Sequence, residues 1–127
     1  MNIIQISDCH LFSDAQKTGY NSVNPYQSLQ HILAEVKLHQ PDVLLVTGDI
    51  SGDGSGQSYQ HFSRLLEQTQ INCRIGIIPG NHDNRTELVT HVADKYLWLN
   101  IPQLALPKQW HIHLLDTQYQ HAIGQIS

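Results

Sequence analysis

At 127 residues, 40% of them hydrophobic and with a formal net charge of -4, the chain has material for one modest core and a single domain, 1–127. Its seven lysines and arginines are scattered without a basic stripe, which argues against partners such as nucleic acid or an anionic membrane surface. No apolar run approaches the ~20 residues of a membrane span, "MNIIQISDCH" is no signal peptide, and Cys9 and Cys73 make no disulfide framework, so a cytoplasmic setting is expected.

In chain order, "NIIQI" (2–6) reads as a short apolar strand. Asn24 and Pro25 mark a helix start, Asn as N-cap and Pro in the first turn. Leu29, Ile32, Leu33 and Val36 then recur at helical spacing, and Pro41 closes that helix. "DVLLVT" (42–47) is a second strand, apolar enough to be buried on both faces. Tyr59, Phe62, Leu65 and Leu66 mark a second amphipathic helix, "RIGIIP" (74–79) a third strand, and Leu88, Val89, Val92 and Tyr96 a third helix. Beyond Pro102, "WHIHLLDTQ" (110–118) predicts a further strand. This alternation implies an α/β fold, a parallel βαβαβ sheet, with ligands beyond the carboxyl ends of its strands.

Those strand ends carry "SDCH", "TGDISGDGS" and "PGNHDN". On extended backbone Asp8 and His10, two apart, would point to one side as an O/N metal-binding pair, with Cys9 opposite. Asp49 follows Gly48, whose missing Cβ admits a close ligand, and its two oxygens can bridge two cations. Asn81 offers a neutral hard oxygen to a metal, and His82 would stand beside that metal. Asp83 is expected to hold the other ring nitrogen of His82 and fix its tautomer. Plainer readings stand beside these. Asp53, Gly54 and Gly56 read as a turn, and Asn or Asp as a cap before "RTELV". Asp49, Ser51, Asp53 and Gly54 imitate a calcium loop, but its twelfth position is Gln60. No Gly-Lys-Ser/Thr makes a P-loop. His31, His39, His61, His91 and His121 read as surface or helix-face residues.

Together, Asp8-Cys9-His10, Gly48-Asp49 and Gly80-Asn81-His82-Asp83 resemble the first three signatures of the calcineurin-like metallophosphoesterases. The segments "SVNPYQSLQ", "LLVTGDISGDGSGQSYQHF" and "LLDTQYQHAIGQIS" are similar to the bacterial cyclic 3',5'-AMP phosphodiesterase subfamily. The resemblance implies an α/β sandwich with a dinuclear site of iron or manganese, sometimes zinc, that hydrolyses phosphate esters. Asp8 and His10 would hold the first metal, Asp49 would bridge both, and Asn81 would hold the second. His82 would act on the scissile phosphate, which His10, Asp49, Asn81 and His82 would line.

The family continues with a second layer of sheet, a His-containing loop and a Gly-His-x-His motif that supply further ligands. His111-x-His113 lacks that glycine and falls in a strand that precedes them. The expectation is therefore the N-terminal portion of such a domain, holding at most one metal ion and self-associating through uncovered sheet. Two functions follow: a phosphodiesterase whose small-molecule partner is cyclic AMP or a related nucleotide, or an inactive remnant that binds a metal or nucleotide weakly or serves as an interaction module.

Overall fold

The computed structural model describes residues 1–101, 103–116, 118, 119, 123 and 124. Three parallel strands form the central sheet: β1 (Ile3–Ile6), β2 (Val43–Thr47) and β3 (Arg74–Ile78), in the order β1-β2-β3. Ile4 pairs with Leu44, and Leu44 with Ile75. Helix α1 (Pro25–His39) connects β1 to β2, and α2 (Gly56–Thr69) connects β2 to β3. The βαβαβ order read from the sequence is the observed one.

Each helix begins where a side chain can take an orphan amide. The Asn24 side chain accepts the Gln27 N–H at 2.9 Å, and Pro25 opens α1. Ser55 does the same for α2 through Ser58 at 3.2 Å. Asn84 caps a short third helix, α3 (Arg85–His91), by accepting the Glu87 N–H at 3.2 Å. The expected third helix is shorter than its apolar pattern. It ends at His91, and Tyr96 belongs to a separate 3-10 turn, Asp94–Tyr96.

Period-two alternation gives the sheet two faces. Leu44, Val46, Ile75 and Ile77 share an apolar cluster with Leu29, Leu33 and Val36 of α1 and Tyr59, Phe62 and Leu65 of α2. On the other face Leu45 lies beside Gly76, where a Cβ would come 3.0 Å from Leu114 and 3.3 Å from Leu104. Leu104 belongs to β4 (Gln103–Ala105), which pairs antiparallel with β5 (His111–His113). The expected strand over 110–118 is thus three residues long and sits in a separate ribbon. Leu114 and Asp116 beyond it are buried off the strand, Asp116 pairing with Arg85 of α3. A second ribbon joins β6 (Gln118–Tyr119) to β7 (Ile123–Gly124). Thr117 and His121 of the sequence reading lie outside the described residues.

Candidate metal centre

The loops after the three strands meet at the carboxyl edge of the sheet. After β1 and β2 the chain does not simply diverge. Asp8 N–H donates to the Gly48 carbonyl at 3.0 Å, His10 N–H to the Asp49 carbonyl at 3.0 Å, and Leu11 N–H to the Ile50 carbonyl at 2.9 Å. Gly52 N–H returns to the Leu11 carbonyl at 2.7 Å. The two loops therefore run as a paired ribbon beyond the strands, and they carry their acidic and imidazole side chains with them.

One donor atom each from Asp8, His10 and Asp49 lies within 4.8 Å of the others. The convergence does not come from extended backbone, as the two-residue spacing suggested. Strand β1 stops at Ile6, and Asp8 and His10 are left-handed, with φ of 58° and 51°. Asp49 is left-handed as well, with φ of 52°. For residues with a Cβ this conformation costs about 1–2 kcal/mol each, and it persists where surrounding hydrogen bonds dictate it. The ribbon supplies those bonds, and the strain aims all three side chains at one point.

Glycines make the crossing of the second and third loops feasible. A Cβ on Gly80 would fall 2.3 Å from Asp49 Oδ1 and 2.4 Å from the Asp49 backbone nitrogen. A Cβ on Gly48, itself at φ +106°, would meet the Gly80 Cα at 2.8 Å. Across this contact the His82 N–H donates to Asp49 Oδ1 at 3.0 Å, and the His82 and His10 ring centroids lie 6.0 Å apart. Asn81 stands exposed in the same turn, between Gly80 and His82.

Asp83 makes a set of bonds that the sequence did not announce. It is buried, and its carboxylate accepts N–H groups from Ile50 (3.3 Å), Ser51 (3.1 Å) and Gly80 (2.8 Å) and the Tyr59 hydroxyl (2.7 Å). These bonds clamp the second and third loops to α2. Burial, with the Asp83 carboxylate next in weight, pushes the Tyr59 phenol well above its ordinary range, so it remains a donor here. The same hydroxyl accepts the Asn84 N–H at 2.8 Å.

Asp53, read as part of a turn, also links loops. Its carboxylate accepts the Ser13 N–H at 2.8 Å and the Ser55 hydroxyl at 2.6 Å. Burial would raise its carboxyl, but the hydrogen bonds from Ser55, Ser13 and Ser51 outweigh it and hold the group below its ordinary value. Between the first two donors, Cys9 is half-buried and borders the cleft beside them. Burial, then the Asp83 and Asp8 carboxylates, push its thiol up to about 12.

The donor set suits a hard or borderline divalent cation: two carboxylates and an imidazole, with the Asp8 and His10 side chains 63% and 42% exposed. Ligand atoms at ~2.0–2.2 Å from a first-row cation lie about 3–4.4 Å apart. The observed span closes to that with movements of a few tenths of an ångström, so the residues present fit one cation.

Comparison with known proteins agrees with this geometry. The family model for calcineurin-like phosphoesterases matches residues 1–120. A 3',5'-cyclic adenosine monophosphate phosphodiesterase of Escherichia coli is 32% identical over 120 residues, covering 93% of this chain and 42% of the relative. One from Pseudomonas aeruginosa is 31% identical over 125 residues, covering 95% and 43%. A probable cyclic nucleotide phosphodiesterase of a Pseudoalteromonas species is 38% identical over 88 residues, covering 69% and 33%. The chain thus spans less than half the length of these relatives. It belongs to the calcineurin-like phosphoesterase family.

Proposed function

We propose that these residues form the metal- and phosphate-binding part of a phosphodiesterase acting on cyclic AMP or a related phosphodiester. The observation that carries the reading is the convergence of Asp8, His10 and Asp49, with the His82 N–H fastened to Asp49. Asp8 and His10 would hold a first cation and Asp49 would bridge to a second, toward which Asn81 offers its amide oxygen. Bound iron or manganese would supply charge neutralisation for the phosphate and an acidified water. His82, exposed beside His10, would donate a hydrogen bond to a phosphoryl oxygen or a proton to the departing oxygen. Asp83 serves by fixing the turn that carries Asn81 and His82.

Metal analysis of two variants tests the division of labour. Asp49→Ala should abolish stoichiometric manganese, because one carboxylate serves both positions. His82→Ala should leave it nearly intact, since the hydrogen bond to Asp49 comes from the backbone N–H and survives. Equal loss in both variants would overturn these roles.

A second reading rests on the donor count. Among the described residues a single group of three histidine, cysteine or acidic ligands converges. That favours a one-cation binding module, and manganese stoichiometry together with product analysis separates the two readings.

A further inference from the structure

We propose that the cleft beside Asp8 and His10 seats the nucleobase of the bound ester, a planar aromatic heterocycle. The inference rests on the phosphodiesterase reading and adds to it the part of the substrate that the metal donors do not read. The cleft encloses about 440 Å³ and runs from Asp8 and His10 to Phe12, Val23, Pro25 and Ser28. That volume is within the ~300–1,000 Å³ of small-molecule sites. Two larger clefts among the described residues, between α2 and α3 (510 Å³) and along α1 and α2 (640 Å³), are lined by other residues and do not reach the donors.

The wall opposite the donors is apolar and held in place. Val23, 49% exposed, lines the cleft together with Phe12 and Pro25. The Phe12 ring packs against the backbone at two glycines. A Cβ on Gly52 would come within 2.9 Å of it, and one on Gly19 within 3.5 Å. The Lys17 ammonium lies 4.4 Å from the centre of the ring.

The loop that carries these residues is fastened at several points. Ser13 is bonded to Asp53 and, through its carbonyl, to the His61 ring. Gly19 N–H donates to the Val23 carbonyl at 2.7 Å, and the Asn24 amide donates to the Ala15 carbonyl at 3.0 Å. A preformed slot with apolar walls, and a Ser28 hydroxyl for a polar ring edge, suits a base better than a sugar or a glycerol unit. Its continuity with Asp8 and His10 lets one molecule span both.

Calorimetric titration of the manganese-supplemented protein with inorganic phosphate, ribose 5-phosphate and AMP tests this. AMP should bind about tenfold more tightly than ribose 5-phosphate, the difference being the buried base. Phe12→Ala and Val23→Gln should each remove most of that advantage and leave phosphate affinity unchanged. Val23 is exposed, so its substitution spares the fold. Equal affinity for AMP and ribose 5-phosphate, or an AMP advantage that survives both substitutions, overturns the base seat while phosphate binding still stands. Failure to bind phosphate at all overturns the phosphodiesterase reading beneath it.

Discussion

Replacing Asp83 by alanine distinguishes a residue that acts on substrate from one that builds the site. The carboxylate accepts three backbone N–H groups and the Tyr59 hydroxyl, at 2.7–3.3 Å. Removing it strands all four donors. A buried donor without an acceptor costs ~1–3 kcal/mol. The Gly80 end is only partly buried and the other three are buried, so taking the lower figure for every donor gives a minimum of about 4 kcal/mol. That is a large share of the ~5–15 kcal/mol by which a domain of this kind is stable. Asp83→Asn retains one acceptor oxygen and should lose roughly half as much. Urea unfolding followed by circular dichroism should show the midpoint falling by about 2–3 M for alanine at a usual slope. A shift below about 0.5 M would refute the clamp and return Asp83 to the His82 ring.

Gly80→Ala should lower manganese affinity at least about tenfold in a spin-resonance titration, because the new Cβ collides with the backbone nitrogen of Asp49 as well as its carboxylate. The Cys9 thiol should resist alkylation at pH 7 in the folded protein. Its raised value means that folding favours the protonated thiol, so this contribution is fully present below about 9 and is lost as pH rises toward about 12, readable as a falling unfolding temperature in Cys9 protein relative to Cys9→Ala. The 127-residue chain should take up about one manganese ion and release no AMP from cyclic AMP detectable by chromatography. Turnover that disappears in Asp49→Ala would refute the one-cation count.

The legible parts of the fold are the locally encoded ones. Asn24-Pro25 announces a helix because the cap and its amide partner are three residues apart, and "DVLLVT" announces a buried strand by composition alone. The candidate donors were legible too, since Asp8, His10 and Asp49 lie within four residues of strand ends. Their manner of convergence was not. Spacing suggested extended backbone, whereas the left-handed turns at 8, 10 and 49 depend on the ribbon between two distant loops. Asp83 shows the same limit. Its neighbour in sequence is His82, but its partners are Tyr59, Ile50 and Ser51, which only the packing of α2 under the loops brings near. Phe12 carried no signal at all, because its place depends on two glycines 33 residues apart in the chain.

Among the described residues, the distribution of charge over the candidate donors favours one cation over two. Asp8, His10 and Asp49 bring two carboxylates and an imidazole to one point, which would suffice to hold a single divalent ion with water completing its shell. A second ion would have a share of Asp49 and the neutral amide of Asn81. One Asp49 oxygen already accepts the His82 N–H, which orients the carboxylate and occupies one of its lone pairs. Two such donors leave most of the ion's hydration to be replaced by other groups. Phosphodiester hydrolysis gains from two cations because attacking and departing oxygens are stabilised together, and each tenfold of rate is about 1.4 kcal/mol of barrier. With one ion held firmly and the other weakly, the same residues would still bind phosphate, and binding would outlast catalysis.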